Sequence, residues 1–188
     1  MSLLVVGTVA FDDIETPFGR AEMVVGGAAT YIALAASYYT RNIKIVSVVG
    51  DDFPEAVFDD LRARGVDLAG LQVKQGEKSF FWSGRYHDDM NGRDTLDTQL
   101  NVLADFDPVL PADYQEVDYL MLGNLTPAVQ LRVLDQLKKR PKLIALDTMN
   151  FWMDTALEEL KTVLKRIDVL TINDEEARQL SGEHSLVK

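Results

Sequence analysis

The stretch Val169-Leu170-Thr171-Ile172-Asn173-Asp174-Glu175-Glu176 joins an apolar, strand-forming run to polar residues that open a helix. Open α/β sheets bind ligands at the carboxyl ends of their strands, where helix N-termini attract phosphate groups. Asn173 with Glu176 three residues later is also the pattern of a capping box, in which each side chain satisfies a backbone amide. The stretch therefore predicts a strand–helix unit of an α/β fold. Taken alone, it favours the capping interpretation of Asn173 and Glu176.

Strands and helices alternate along most of the remaining chain. Apolar runs bounded by turn residues predict the strands, and apolar stripes at helical spacing predict the helices. The alternation predicts right-handed βαβ units and a mostly parallel sheet with helices on both faces. The predicted strands lie at 3–9, 44–49, 119–122, 143–146 and 169–172, and the helices at 27–39 and 54–64, after Thr126, after Asp154 and after 173.

Two segments interrupt this alternation. Residues 78–87 and 95–100 alternate apolar and polar side chains, as strands do, and Asn91-Gly92 between them is a strong hairpin signal. A turn at 17–20 precedes another short strand at 21–25. We therefore expect one domain over 1–188, with a small inserted β-sheet contributed by residues 12–25 and 78–101.

The composition is that of an ordinary globular protein, with 188 residues, 47% hydrophobic and 26% charged. The net charge of −11 argues against nucleic acid and anionic membranes as partners, because both require clustered Lys and Arg. The absence of cysteine excludes disulfides, thiolate nucleophiles and cysteine-ligated zinc. Neither a signal peptide nor an apolar run long enough to span a membrane is visible, and we expect a cytoplasmic protein.

Small and acidic residues mark candidate ligand contacts near strand ends. Gly26-Gly27 opens the helix at 27–39, where a ligand could approach the backbone and meet free N–H groups, although a plain turn explains the pair equally well. Asp12 follows the first strand and could bind the hydroxyls of a polyol, with a solvated turn acid as the alternative. Neither a G-x-G-x-x-G fingerprint nor a Walker A loop is present.

Five segments follow one another along the chain: Gly7–Asp12, Gly26–Tyr31, Val48–Asp52, Leu146–Asn150 and Asn173–Ala177. Their order resembles the ribokinase-like (PfkB) family of carbohydrate kinases. The resemblance covers nearly all of residues 3–182 and includes the inserted sheet, which in this family forms a lid over the substrate. It implies phosphoryl transfer from ATP, with Mg²⁺, to a hydroxyl of a small-molecule sugar or nucleoside.

The resemblance also implies roles for individual residues. Asp12 would bind substrate hydroxyls, and Gly26 and Gly27 would lie against the substrate. Asn173 and Glu176 match the N-x-x-E motif, which helps to place the phosphates and Mg²⁺, with Glu176 reaching the metal through water.

The resemblance implies further substrate contacts in the lid and at Tyr31. The lid would close over the substrate and exclude water, and Arg85, Tyr86 and Asn91 are its candidate contacts. Tyr31 stands where the family usually has Asn, so a substrate hydrogen bond is altered and the substrate is left open.

A second departure concerns catalysis. The Gly-Ala-Gly-Asp-type segment, which supplies the anion hole and the catalytic base in the family, has no match here, so no catalytic base is assigned. We expect the base and the nucleotide-binding residues beyond Lys188, and we predict that the 188-residue chain alone is inactive. An unpaired strand edge, or the lid, predicts homodimerisation.

Two other functions remain open. One is a non-catalytic sugar- or nucleotide-binding regulator that keeps this fold. The other is a different α/β enzyme, such as a nucleotide-dependent oxidoreductase, and the missing glycine fingerprint counts against it.

Overall fold

A parallel six-stranded sheet forms the body of the protein, as a computed structural model that describes residues 1–90 and 92–185 shows. The strand order is β10-β9-β8-β1-β4-β5, and every neighbouring pair is parallel. The predicted fold class, a parallel α/β sheet with a second small sheet, is therefore confirmed. The strands are β1 (Leu3–Val6), β4 (Ile43–Gly50), β5 (Val66–Lys74), β8 (Tyr119–Leu122), β9 (Leu143–Asp147) and β10 (Val169–Thr171).

Six helices surround this sheet in the described part of the chain. None of them is long and apolar enough to cross a membrane. They are α1 (Ala28–Ala36), α2 (Glu55–Ala63), α3 (Pro127–Gln136), α4 (Asn150–Thr155), α5 (Leu157–Leu164) and α6 (Asp174–Ser181).

The central strands are apolar on both faces because helices cover both faces. Successive side chains of a strand point to opposite sides. Val5 accordingly packs into a cluster with residues of α1 and α2, whereas Leu4 and Val6 pack into a second cluster with residues of α3 and α5. These two clusters form the hydrophobic core of the body.

The second sheet has four strands in the order β3-β2-β6-β7. β2 pairs antiparallel with β3 and parallel with β6, and β6 pairs antiparallel with β7. We call this sheet the lid sheet. Its strands are β2 (Ala10–Thr16), β3 (Gly19–Gly26), β6 (Phe80–Tyr86) and β7 (Arg93–Gln99).

A polar cluster around Ser79 joins the lid sheet to the body. The buried Ser79 hydroxyl donates to Asp52 Oδ1 over 2.6 Å and accepts from the Gly50 amide over 3.0 Å. The Ser79 amide donates to the same Asp52 oxygen, and Asn101 Nδ2 donates to the Ser79 carbonyl over 2.8 Å. The chain passes through the lid sheet twice, and Ser79 and Asn101 lie at the start and the end of the second passage, which forms β6 and β7. Both ends of the β6–β7 hairpin are therefore fastened to the end of β4.

Two predicted helix caps are wrong. In the sequence, Asp52 with Glu55 three residues later predicts a capping box for α2. In the structure Pro54 is the N-cap residue, and Asp52 binds Ser79 instead. Asp154 was expected to begin the helix before β10, but it lies inside α4, and α5 begins after Ala156. In both cases a short polar side chain has a tertiary partner in place of the local amide.

Candidate active site

The carboxyl ends of β1 and β8 mark the topological switch point of the body. Chain order runs from β1 towards β4 on one side and from β8 towards β10 on the other, which is where open α/β sheets form a ligand crevice. Helix α1 begins directly over this point: a side chain at Gly123 would meet the Ala28 side chain, and one at Gly7 would meet the Ala29 amide, both at 3.1 Å. The glycines therefore allow close packing at the crevice.

Thr8 binds the first two amides of α1. Its hydroxyl accepts from the Ala28 amide over 3.1 Å, and its carbonyl accepts from the Ala29 amide over 2.9 Å. Gly27, the N-cap residue, has φ 92°, and a Cβ there would lie 2.3 Å from the Thr8 carbonyl oxygen. The expectation of free N–H groups is therefore wrong for these two amides, and Gly27 is required by backbone conformation and by contact.

Asp12 lies on β2 and is half-buried against Gly26 of β3. A Cβ at Gly26 would fall 2.0 Å from Asp12 Oδ2, so glycine at this position leaves room for the carboxylate in its present orientation. Burial raises the pKa of Asp12 to about 6. Within residues 1–90 and 92–185 the Asp12 carboxylate has no hydrogen-bond or ion-pair partner. An unpartnered, partly desolvated carboxylate is suited to accept hydrogen bonds from a ligand.

Register defines which side chains share a face of the lid sheet with Asp12. Asp12 pairs with Trp82 across β2 and β6, and Trp82 pairs with Thr98 across β6 and β7. Leu96 has no partner in β6, because the register shifts between Ser83 and Gly84. We call this side the Asp12 face; by strand alternation and register it carries Asp12, Val24, Trp82, Gly84, Tyr86, Arg93, Thr95 and Thr98.

The Asp12 face is turned towards the carboxyl ends of the body strands. Arg93 lies close enough to Asp147, at the end of β9, for its positive charge to lower the pKa of that carboxyl. The opposite face carries Phe11 and Phe81, which pack against the body core around Phe53. The crevice of the site therefore lies between the Asp12 face and the sheet edge.

Tyr31 contributes to the α1 end of the crevice. It lies on α1 with 59% of its surface exposed, and its hydroxyl donates to the Val25 carbonyl of β3 over 3.1 Å. The side chain thus connects the helix to the lid sheet, and its hydroxyl already has a backbone partner.

The three residues predicted as substrate contacts of the lid do not lie together. Arg85 points to the face away from Asp12 and forms a two-bond pair with Glu15, at 2.9 and 3.2 Å. Tyr86 shares the Asp12 face, at its far end. Asn91 lies outside the described residues. The structure therefore brings Tyr86, but not Arg85, onto the same face as Asp12.

Asn173 and Glu176 form the capping box of α6. Asn173 Oδ1 accepts from the Glu176 amide over 2.8 Å, and Glu176 Oε2 accepts from the Asn173 amide over 2.9 Å. Glu176 is 6% exposed. Each side chain keeps one polar atom, Asn173 Nδ2 and Glu176 Oε1, that makes no hydrogen bond to another described residue. The box therefore satisfies the helix and leaves a donor and an acceptor beside the end of β10.

Asp147 is the neighbouring acid at the sheet edge. Burial and, to a smaller extent, the negative charge of Glu176 raise its pKa to about 6, although the amides of Thr148 and Asn124 and the charge of Arg93 act in the opposite direction. The Thr148 hydroxyl is buried without a partner among the described residues. Two carboxylates in this surrounding favour a cation between or beside them.

Two residues that support this edge of the sheet were not identified from the sequence. The buried Gln130 of α3 donates Nε2 to the Gly123 carbonyl over 3.0 Å and to the Asp147 carbonyl over 3.4 Å, which links the ends of β8 and β9. Asn124 accepts from the Trp152 indole over 2.8 Å. Gln130 could have been noticed as the one amide within the apolar stripe of α3, but no sequence signal marks its partners.

No group of three acidic or histidine side chains within residues 1–90 and 92–185 encloses a metal site. The donors at the sheet edge still fit Mg²⁺, which is commonly held by one or two carboxylates together with substrate phosphates and water. A separate open groove of about 430 Å³ lies at the lid tip, and it contains neither Asp12 nor Glu176. Its lining residues are Glu15, Thr16, Pro17, Arg85, Tyr86, His87 and Asp88.

Solved structures share this fold over nearly the whole chain. A nucleoside kinase of Methanocaldococcus jannaschii, described as an archaeal member of the ribokinase family, superposes with a TM-score of 0.74 at 17% identity, over 97% of this chain and 64% of that one. A putative ribokinase II of E. coli in complex with ATP and Mg²⁺ gives a TM-score of 0.76 at 16% identity, over 98% and 66%.

Sequence comparison agrees. The chain is 25% identical to a cytidine kinase of Thermococcus kodakarensis over 186 residues, which is 97% of this chain and 65% of that relative. The chain thus spans just under two thirds of the length of these relatives. The model of the pfkB family carbohydrate kinases matches residues 3–187. The chain belongs to the pfkB family of carbohydrate kinases.

Proposed function

We propose that this protein is part of an ATP-dependent kinase that transfers the γ-phosphoryl group to a hydroxyl of a nucleoside or a sugar. The observation that carries the proposal is Asp12, a half-buried carboxylate with no described partner, on the face of the lid sheet that looks towards the strand ends. The kinase names of relatives with this fold, a cytidine kinase and a nucleoside kinase, support it.

Asp12 and the two glycines would bind the acceptor. The carboxylate accepts hydrogen bonds from acceptor hydroxyls, and hydrogen bonds to a charged group are worth about 1.5–3 kcal/mol each. Gly26 leaves room for the carboxylate, and the backbone at Gly27 can approach the substrate closely. The lid sheet covers this site and keeps water from the transferred phosphoryl group.

The edge at Asn173, Glu176 and Asp147 would face the nucleotide. Bound Mg²⁺ neutralises the charge of the phosphates, which is its usual contribution to phosphoryl transfer. Glu176 and Asp147 would hold it directly or through water, and Asn173 Nδ2 would donate to a phosphate oxygen. The ATP and Mg²⁺ in the E. coli structure support this assignment. Because ATP is the donor, we expect a cytoplasmic location.

Within this chain we assign no catalytic base. Phosphoryl transfer requires a positioned acceptor, stabilised charge and a group that accepts the hydroxyl proton. We expect the base and the anion hole in sequence outside residues 1–188, so the 188-residue chain alone should not phosphorylate any acceptor.

Acceptor-dependent release of ADP from Mg·ATP tests the proposal. A panel of nucleosides and sugars is assayed with the product of the whole coding region and with the 188-residue chain. We expect turnover with at least one acceptor for the former, and a loss of at least tenfold in kcat/KM in its Asp12→Asn variant. Acceptor binding without turnover by the whole product would instead favour a non-catalytic, sugar- or nucleotide-binding regulator.

We also propose that the protein forms a homodimer through the lid sheet. All seven residues of β7 are exposed, its outer edge has no partner strand in the described chain, and Leu96 is 49% exposed. Edges of this kind pair readily with another strand. Light scattering after size exclusion is expected to give twice the chain mass, and Leu96→Lys is expected to return the monomer.

A further inference from the structure

We propose that the indole of Trp82 is the stacking surface for a planar heterocyclic base attached to the polyol that Asp12 binds. The acceptor class is then a nucleoside rather than a free sugar. This inference rests on the proposed function, which it deepens at the same site.

Trp82 and Asp12 are direct neighbours on one face. The two residues are register partners in the parallel pair β2–β6, so their side chains leave the sheet on the same side. Adjacent strands lie about 4.8 Å apart. A ligand whose hydroxyl reaches Asp12 therefore places its next ring over the indole or its immediate surroundings.

The indole is held in place before any ligand arrives. Its Nε1 donates to the Thr95 hydroxyl over 3.2 Å. Its six-membered ring covers Gly84 so closely that a Cβ at that position would lie 2.0 Å from Cη2. A ring fixed at both ends loses little freedom when a second ring stacks on it, which favours binding.

Core packing does not account for this tryptophan. Phe81, the next residue, faces the other way and packs against the body core, whereas Trp82 belongs to neither of the two apolar clusters of the described chain. It is partly exposed on the Asp12 face. A large aromatic side chain that is fixed, outside the core and beside an unpartnered carboxylate is suited to a ligand.

A nucleoside fits this pair of groups better than a free sugar. The ribose hydroxyls satisfy the carboxylate, and the base offers a π-face to the indole. A free sugar offers hydroxyls to Asp12 but no aromatic ring to Trp82. Aromatic stacking of one base is sequence-tolerant, so Trp82 selects for the presence of a base and leaves the choice of base to other groups.

Calorimetric titration with cytidine, inosine and ribose tests the inference on wild-type protein, Trp82→Ala and Trp82→Phe. We expect Trp82→Ala to weaken the binding of both nucleosides about 10- to 100-fold, the range of one stacked base, and to change ribose binding less than about twofold. Trp82→Phe keeps an aromatic face and should recover most of the nucleoside affinity. Amide exchange in β2 and β6 of each variant shows whether the lid sheet is intact.

Nuclear magnetic resonance adds a readout from the wild-type Trp82 side chain itself. The chain has two tryptophans, so two indole N–H signals are expected, and Trp82→Phe identifies one of them. Nucleosides should shift the Trp82 signal, and ribose should leave it nearly unchanged.

The outcomes separate this inference from the proposed function. Ribose and nucleosides that bind equally tightly, or that lose affinity equally in Trp82→Ala, would overturn the stacking role and leave the kinase assignment standing. Failure of the wild-type protein to bind either nucleoside would also overturn the stacking role. The kinase assignment fails separately, if no acceptor of the wider panel gives ADP release.

Discussion

The surroundings of Asp12 in the folded protein indicate its role. The sequence leaves two interpretations of Asp12 open, a ligand of the substrate or a solvated acid in a turn. The structure places it on a strand, against Gly26 and without a described partner. A carboxylate that gives up hydration without gaining a partner lowers the stability of the protein, and such a cost is typical of binding sites.

The free energy of unfolding should depend on pH because of Asp12. Its pKa rises from 3.8 to about 6 on folding. The folded state therefore holds the proton more tightly, and stability is lost as the pH rises from about 4 to above 6. We expect Asp12→Asn to gain stability over wild type across this window, as urea unfolding at successive pH values would measure. A stability difference that is constant from pH 4 to 7 would contradict the raised pKa.

Gly27 allows the effects of conformation and contact to be separated. Gly27 and Gly76 both have positive φ, 92° and 75°, but a Cβ at Gly27 meets the Thr8 carbonyl at 2.3 Å and one at Gly76 meets nothing within 4 Å. Gly76→Ala should cost about 1–2 kcal/mol of unfolding free energy, from conformation alone. Gly27→Ala should cost at least about 2 kcal/mol more, because of overlap with backbone. Equal losses in urea unfolding would show that the Thr8 contact is easily relieved.

Residue-level prediction from sequence succeeded for local geometry and failed for register. Thr126 directly before Pro127 is the sequence pattern of an N-cap, and in the structure its hydroxyl accepts from the Val129 amide. By contrast, residues 95–100 alternate in sequence, and only the structure shows that Leu96 is unpaired and that Thr95 and Arg93 therefore share the Asp12 face. A bulge depends on the partner strand, which the local sequence does not contain.

At the scale of elements, the α6 N-terminus combines a structural and a proposed ligand role. The capping interpretation of Asn173 is confirmed by the hydrogen bonds of the box. The phosphate role remains a proposal, because capping leaves only Nδ2 for a ligand. A substitution that keeps the capping oxygen of residue 173 but replaces Nδ2 separates the capping role from the phosphate role.

Asn173→Asp is that substitution, with Asn173→Ala as its matched control. Asp caps helices as well as Asn, so unfolding free energy should change by less than about 0.5 kcal/mol, whereas Ala should lose about 1 kcal/mol. Asp replaces a donor with a negative charge next to Glu176, so we expect Mg·ATP affinity of the whole gene product to fall at least tenfold in both variants. Unchanged nucleotide affinity in Asn173→Asp would restrict Asn173 to capping.

The cluster around Ser79 should control the lid sheet as a unit. Ser79→Ala removes the hydroxyl that joins Asp52 to the Gly50 amide, so we expect amide exchange in β6 and β7 to speed up while β8 and β9 stay unchanged. Ser37→Ala, which removes a hydroxyl bond to the Leu34 carbonyl in α1, is the control and should leave the lid sheet unchanged. Faster exchange throughout the body after Ser79→Ala would point to general destabilisation instead.

Most strands of the body could be predicted from the sequence. The two strands that were missed, β5 of the body and β2 of the lid sheet, share a cause. Strong apolar runs gave β4, β8 and β9 within one or two residues. β5 was missed because its apolar residues are interrupted by Gly70, whose bare Cα accommodates the Tyr114 ring. β2 was missed because its two aspartates resemble a turn, although Asp13 accepts from the Met23 amide at a register shift. Tertiary partners override local pattern at both places.

At the scale of the whole molecule, the chain contains the switch point and the lid sheet of its family fold. β10 is the last strand of the body sheet on its side, and Val169 there is 40% exposed. The relatives are about half as long again, since the chain spans 65% of the cytidine kinase. The acceptor-binding groups that we propose all lie in this chain, whereas the base that we expect does not.

Equilibrium binding of cytidine to the 188-residue chain and to its Asp12→Asn variant, at pH 5 and pH 7.5, tests this division most directly. We predict that the wild-type chain binds cytidine more tightly at pH 7.5 than at pH 5, because the Asp12 carboxylate then carries its charge. Asp12→Asn should lose at least about tenfold in affinity at pH 7.5 and show little pH dependence. Cytidine affinity that is the same in the wild-type chain and the variant at both pH values would contradict the account.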